Sequence, residues 1–555
     1  MAELNELERI IYNEGERLIP GLTHDLEELI RHYSSYLFFR LIIMNDLAIA
    51  TNNKAIDIID LGCGVGWGCR VLSEITHSHI SGVDISRDSL EYAHEHYMNT
   101  DIHYEQADLL EFIPRMPECD YAVSRNAIEH IPNGLRLAKS IKWRRRLIFD
   151  VPYGEPEGRN IYHVLTGITE EAFVGFDGVE IFYQDLSGCI YDAQHKPANP
   201  NIIICVCSSP DLPKLSDCKL GFDTSGRLYP MHHIKEQDCL YSLFPLVSII
   251  TPAYNRAAYL DETIQSVLAQ NYPRIEYIVL NDGSTDNTEE VLQKYTGHLI
   301  WETHPNMGET RTVNKGFGMA HGEIVAVVNS DDPLLPGAVR AAVAFMQSYP
   351  DILVAYPDWD FIDRDSIVTR HVQVPEYNYL YSLRRHYYMV GPGAFIRRKA
   401  FELTGMRDSA FKYAGDFEYW LRLGLYGQFA RIPRTLATFR VHPDSATVSQ
   451  KGHDMADEHI RLTKQFYSRP GLPPRVLKVH SQALAWAYLT AGIACGRARW
   501  LALWYYLRAV LYHPTIVFSV LSLWLRVRIS KLPRPIFRVL QWGWHMTYPI
   551  LAKGR

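Results

Sequence analysis

The sequence predicts an α/β protein made of two successive open-sheet domains followed by an α-helical, basic region. Three observations carry that expectation. Apolar runs of strand length, residues 55–60 and 323–328 among them, alternate with stretches of helical period. Two of these strands run straight into turns rich in ligand-type residues, DLGCGVGWG at 60–68 and NSDD at 329–332, and open α/β sheets keep their ligands at the carboxyl ends of their strands. Finally, 555 residues exceed one ordinary core, so two or three domains are expected.

Composition narrows the class. A chain with 47% hydrophobic and 21% charged residues is that of a globular protein. Nine cysteines at 63, 69, 119, 189, 205, 207, 218, 239 and 495 form no CxxC pair and no zinc spacing, and read as reduced thiols of a cytoplasmic protein. The amino terminus MAELNELERII lacks an apolar h-region, so no secretory signal is expected. The longest late apolar candidate, residues 515–525, falls short of the roughly 20 residues that span a bilayer. The net charge of −7 is unevenly spread: residues 459–555 hold fifteen Lys and Arg and no Asp or Glu.

In chain order, the strand at 55–60 leads into glycines at 62, 64, 66 and 68. Such glycines let a ligand lie against backbone, and the helix that follows offers free N–H groups. The spacing is GxGxG, which favours S-adenosylmethionine over NAD. A second strand ends in Asp84, some twenty residues on, where a carboxylate can accept from both ribose hydroxyls. A third segment places Asp108 where an adenine edge would lie, and a fourth strand precedes NAIEH at 126–130. The series DLGCGxG, VDIS, QADL, NAIEHI resembles a class I methyltransferase with a Rossmann-like fold over residues 1–210. NEGERLIPG, RHYSSYLFFR and VPYGEPEGRNIYHV further resemble the methyltransferases of surface-polysaccharide gene clusters. The resemblance implies Asp60, Gly62, Gly64, Gly66, Asp84, Asp108 and Asn126 as S-adenosylmethionine contacts, with His130 as general base. Cys63 and Cys69 read as packing residues. Strands at 178–186 and 201–209 are expected to close this sheet, and residues 211–244, without a clear period, to form a linker.

From Pro245 the chain reads strand, loop, helix, strand, acidic loop and helix in quick succession. TPAYNR, NDGSTD, NSDD and GDFEYWLRL together resemble a family 2 glycosyltransferase of the GT-A fold, over residues 245–455. That resemblance implies a nucleotide-diphospho-sugar donor held by Thr251, Ala253, Tyr254, Asn255, Asp282, Asn306, Gly308, Arg311 and Ser330. It also implies Mg²⁺ or Mn²⁺ on Asp331, Asp332 and His442, where hard oxygen ligands suit a cation facing a diphosphate. Asp416 falls at the catalytic-base position of an inverting transfer, with Glu418 as the alternative. The family's usual acid before that base is Gly415 in this chain.

Residues 456–511 read as amphipathic helices. Beyond them, Arg526, Arg528, Lys531, Arg534 and Arg538 mingle with apolar clusters, and six of the eleven Trp lie at 486, 500, 504, 524, 542 and 544. Basic charge with interfacial aromatics suits an anionic membrane surface rather than nucleic acid, the other reading being a helical bundle packed on the enzyme. The expectation is a bifunctional enzyme, peripheral at the cytoplasmic face of the inner membrane, working on a glycan or a polyprenyl-diphosphate-linked oligosaccharide. Two alternatives are a domain reduced to glycan binding and a methyltransferase acting on an unrelated small molecule or lipid.

Overall fold

The computed structural model describes residues 6–13, 19, 26–49, 54–238, 241–442, 452–495 and 499–518. Two mixed sheets dominate it. The first is built from β1 (Ile56–Leu61), β2 (Ser78–Asp84), β3 (Ile102–Gln106), β4 (Cys119–Arg125), β5 (Trp143–Pro152), β6 (Val179–Asp185), β7 (Ile190–Tyr191), β8 (Pro200–Ser208) and β9 (Arg227–Leu228). Their spatial order is β3-β2-β1-β4-β5-β8-β6-β7-β9. Strands β1 to β5 pair in parallel, which explains why β1 and β4 are buried along almost their whole length. The strands expected at 178–186 and 201–209 pair with each other antiparallel, and β8 closes onto β5.

The segment 211–244, read from sequence as aperiodic, contributes β9 and three single-turn 3₁₀ helices. Leu215, Leu220, Leu228, Met231 and Phe244 are all buried. Short turns and a two-residue strand bury one apolar side chain at a time, at irregular intervals, and leave no period for sequence reading to detect.

The second sheet comprises β10 (Val247–Ala253), β11 (Ile275–Asn281), β12 (Ile300–Thr303), β13 (Ile324–Val327), β14 (Ile352–Ile362), β15 (Val368–Val372), β16 (Phe395–Arg397) and β17 (Gln428–Arg440). Its order is β12-β11-β10-β13-β16-β14-β15, with β17 alongside β14. Strands β10 to β13 are parallel, and β16 runs antiparallel to both β13 and β14.

One apolar core runs through both units. The helix Leu26–Ile49 packs its Ile30 and Tyr33 into the same cluster that holds Ile249 of β10 and Ala338 of the helix Ala338–Ser348. Tyr33 and Phe244 stack with ring centroids 6.4 Å apart. Polar contacts fix the register: Arg40 pairs with Asp238 at 3.1 Å, Asn271 Nδ2 donates to the Ser187 carbonyl at 2.8 Å, and Arg340 Nη1 to that of Leu186 at 2.7 Å.

The helices Gly452–Tyr467, His480–Ala494 and Arg499–Tyr512 form a bundle. Leu462, Phe466 and Val476 pack on Phe411, Phe417 and Leu421, so the bundle leans directly on the helix Gly415–Leu423. Of the region 456–555 expected to meet a membrane, residues 519–555, with Arg526, Arg528, Lys531, Arg534, Arg538 and three of the six Trp, lie outside the described residues, and no described helix is long and apolar enough to cross one.

Candidate active sites

In the first sheet the strand order reverses between β1 and β4, and a cleft of about 810 Å³ opens at their carboxyl ends. Gly62, Gly64, Asp84, Asp108, Asn126 and His130 line it. Asp60 and Gly66 do not. The glycine turn is left-handed at Gly62 (φ +78°) and Gly64 (φ +52°). A Cβ at Gly62 would lie 2.3 Å from that of Ala127, whereas one at Gly64 would meet nothing within 4 Å, so the Gly64 backbone faces the open cleft.

Asp84 ends β2 and holds this turn: its Oδ2 accepts from the Gly64 amide at 2.8 Å and its Oδ1 from the Ser86 amide at 2.9 Å. Asp108 caps the helix Leu109–Arg115 through the Leu110 amide at 2.8 Å, at the rim of the cleft. Asn126 (φ +46°) is braced by the buried pair Arg125–Asp150, accepting from Arg125 at 2.6 Å while its own amide donates to Asp150 at 3.0 Å.

Asp60 lies beneath the turn, fully buried, and accepts from the Tyr36 hydroxyl at 3.1 Å and the Cys69 thiol at 3.3 Å. Burial pushes its carboxyl up to about 7. Sequence reading set Asp60 among the cofactor contacts, but its neighbours make it a support for the loop. Cys63 and Cys69 are buried, and burial raises both thiols, in keeping with packing roles.

The second sheet reverses between β10 and β13, and there the turns are lined with side chains. Asp331 Oδ2 sits 2.9 Å from His442 Nε2 and accepts from Arg256 Nε at 3.1 Å. The adjacent Asp332 faces inward, accepting from the Arg440 amide at 2.7 Å and from Asn329 Nδ2 at 2.9 Å. Burial first, and the Asp331 carboxylate second, raise its carboxyl well above the usual range. Arg440, itself buried, donates to the Asp331 carbonyl at 3.0 Å and to Glu262 at 2.6 Å, tying the NSDD turn to β17.

Ser330 is buried beside Asp331, its carbonyl accepting from Thr263. Asp282 also turns its carboxylate on backbone amides, those of Met307 at 2.6 Å and Gly308 at 2.9 Å, while Asn306 Nδ2 donates to the Asp282 carbonyl at 3.0 Å. Asn255 (φ +52°) clamps the NDGST turn, donating its amide to Ser284 at 2.9 Å and accepting from Thr285 at 2.7 Å. Tyr254 is exposed beside it, and Arg311 is exposed on the first turn of the helix Glu309–Met319. Thr251 and Ala253 are buried inside β10, with the Thr251 hydroxyl 3.1 Å from that of Tyr277. The resemblance set both among the donor contacts, but their side chains are buried within the strand.

Asp416 opens the helix Gly415–Leu423, half-buried, and burial raises its carboxyl against the opposing pull of Arg407. Gly415 has a steric reason: a Cβ there would stand 2.8 Å from Thr310 Oγ1, so the helix Glu309–Met319 leaves no space for an acid at this position. Glu418, the alternative base, is buried between Arg422, which grips both its oxygens at 2.9 Å, and Arg469. A carboxylate so clasped has its oxygens engaged by two guanidinium groups and is turned away from solvent, and the structure removes it from consideration.

Sequence reading missed Glu458. From the C-terminal bundle it accepts the amides of Lys412 at 2.9 Å, Tyr413 at 2.5 Å and Ala414 at 2.7 Å, shaping the loop that presents Asp416. Its one sequence signal is its place as the last acidic residue before the acid-free stretch.

Residues 58–145 match the family described as a methyltransferase domain, and residues 248–404 match glycosyl transferase family 2. An uncharacterised glycosyltransferase of Rickettsia typhi is 30% identical over 213 residues, covering 37% of this chain and 66% of that protein. Hyaluronan synthase of Pasteurella multocida is 26% identical over 42% of this chain and 24% of its own length. A putative teichuronic acid biosynthesis glycosyltransferase of Bacillus subtilis is 37% identical over 107 residues, 18% of this chain and 42% of that one. Among solved structures, S. aureus TarS 1–349 in complex with UDP-GlcNAc aligns with a TM-score of 0.38 at 17% identity, over 50% of this chain and 92% of that one. A methyltransferase domain implies S-adenosylmethionine as methyl donor. The chain joins a methyltransferase domain to a family 2 glycosyltransferase domain.

Proposed function

We propose that the protein transfers a sugar from a nucleotide-diphospho-sugar to a glycan acceptor with inversion, and methylates a sugar of the same glycan, in the synthesis of an O-antigen or related bacterial surface polysaccharide. The observation that carries this reading is the pair of switch-point sites built on one continuous core, each with its ligand-type residues at the carboxyl ends of parallel strands. In domain terms the reading assigns residues 1–210 to methyl transfer and 245–455 to sugar transfer.

The first site fits S-adenosylmethionine: the open backbone at Gly64 offers a surface for close approach, and Asp84, Asp108 and Asn126 surround the same cleft. The second fits a divalent cation, Mg²⁺ or Mn²⁺. Asp331 and His442 offer an oxygen and a nitrogen side by side, whereas Asp332, which the resemblance also made a ligand, is turned inward onto the Arg440 amide and Asn329 and ties the Asp331 turn to β17. Such a cation neutralises charge on the departing nucleoside diphosphate. Tyr254, Asn255, Asp282, Asn306, Gly308 and Arg311 frame the donor. Asp416 takes the proton from the acceptor hydroxyl as that oxygen attacks the anomeric carbon and the bond to the diphosphate breaks. The raised carboxyl of Asp416 brings its basicity nearer to the working pH.

Association with the cytoplasmic face of the inner membrane is supported by an apolar stripe on the last described helix, where Trp500 (85% exposed), Leu503, Trp504, Leu507 and Leu511 (77% exposed) share one face. Incubating the full-length protein with a panel of nucleotide sugars, labelled methyl donor and lipid-linked acceptors tests the whole reading: a product carrying both label and new sugar is expected, and methylation confined to non-glycan molecules overturns it. For the membrane, full-length protein should co-sediment with anionic liposomes at low salt. A chain ending at residue 512 should bind them more weakly, since each basic side chain near such a surface contributes about 1 kcal/mol.

A further inference from the structure

Glu129, His130 and His163 each bring one ligand-type atom within 4.8 Å of the others, the one such group of His, Cys, Asp or Glu among the described residues. Glu129 is fully buried in the 3₁₀ turn Ile128–His130 that follows β4, and His163 lies on the loop after β5. The loop is pinned to the turn: the amides of Val164 and Leu165 both donate to the Glu129 carbonyl at 2.9 Å. Both histidines line the methyl-donor cleft, their rings 4.9 Å apart.

The imidazoles are oriented in the same sense. His130 Nδ1 lies 3.0 Å from the Tyr162 carbonyl oxygen, and His163 Nδ1 lies against the Glu155 carboxylate. A carbonyl, like an ionised carboxylate, only accepts, so each Nδ1 is the donor, and in the neutral imidazole the lone pair then falls on Nε2. Asn160 Nδ2 donates to His163 Nε2 at 3.0 Å, which fits that tautomer. Histidines that ligate metals are held in this way, with the distal N–H on a carbonyl or carboxylate.

We infer that Glu129, His130 and His163 form a divalent-cation site in the wall of the methyl-donor cleft, with Glu155 and the Tyr162 carbonyl orienting the two imidazoles and the Asn160 amide yielding its place to the ion. Two imidazoles and one carboxylate suit Mn²⁺, Fe²⁺ or Zn²⁺ better than Mg²⁺ or Ca²⁺. The role follows from position and rests on the methyl-transfer reading: the ion holds the oxygen of the methyl acceptor against the donor, and His130 serves as a ligand in place of a general base.

Titration of the full-length chain with Mn²⁺, following free Mn²⁺ by electron paramagnetic resonance, tests the site. His163→Ala should lose one tight equivalent that Asp331→Ala retains. Glu155→Gln, which leaves the ligands in place, should weaken that equivalent by about 10- to 100-fold. Circular dichroism and calorimetric binding of S-adenosylmethionine check that each variant is folded. Equal Mn²⁺ stoichiometry and affinity in wild type, His163→Ala and Glu155→Gln overturn the inference. If the wild type fails to bind S-adenosylmethionine while His163→Ala still loses its equivalent, the methyl-transfer reading falls and the cation site stands.

Discussion

The order β3-β2-β1-β4 in the first sheet recurs as β12-β11-β10-β13 in the second, and each places its ligand-facing turn at the reversal beside the first strand. The turns themselves are made of different material. After β1 the chain exposes backbone, with Gly62 and Gly64 in left-handed conformations and Asp84 holding the Gly64 amide. At the ends of β10 and β13 it exposes side chains, and Asp331 stands between Arg256 and His442 with Arg440 behind it. In both, the acid after the second strand, Asp84 or Asp282, is used to fix a turn through backbone amides. The comparison teaches that topology decides where a ligand lies, and that the turn decides what kind. Bare backbone admits the close approach of a cofactor. A turn crowded with opposite charges suits a ligand that brings charge of its own.

The sharpest way to break this contrast is Asp331→Ala. Cation assistance is worth several kcal/mol, so sugar transfer should fall by roughly 10³-fold while methyl transfer is unchanged. Parallel assays of both reactions on one preparation measure it, and an equal loss in both would mean that the two sites are not independent. Next, Asp416→Asn keeps the shape and removes the base: turnover should fall by about 10²-fold or more with donor affinity retained, read by single-turnover kinetics and calorimetry. Near-native turnover would move the base elsewhere.

On the first site, Asp84→Ala removes hydrogen bonds to a charged group, each worth about 1.5–3 kcal/mol. Affinity for S-adenosylmethionine should drop by roughly 10- to 100-fold in calorimetry, and nucleotide-sugar turnover should persist. Unchanged affinity would sink the assignment of Asp84.

The smallest effect concerns Asp60. Its carboxyl is raised in the folded state, from 3.8 to about 7, so folding favours the protonated form. That contribution is fully present below pH about 4 and is lost as pH rises through about 7. Asp60→Asn should therefore flatten the decline of the melting temperature over this range, by roughly a few degrees for a unit of this size. An identical pH profile in variant and wild type would contradict it.

Much of this was legible in the sequence because it is local. The alternation of apolar strands and helices, the glycine turn, and the acids at the ends of β2, β11 and β13 are fixed by neighbours a few residues apart, and such patterns announce both domains and the turns at which the candidate sites lie. What the sequence did not reveal are roles set by residues far away in the chain. Thr310 excludes an acid at Gly415, Glu458 shapes the loop before Asp416, and Tyr36 helps turn Asp60 into a support. Arg422 neutralises Glu418 only four residues away, but Arg469 completes that clasp from the C-terminal bundle. These decisions belong to the tertiary structure, since a carboxylate acts as base, ligand or brace according to which donors are packed against it, and local sequence does not specify them.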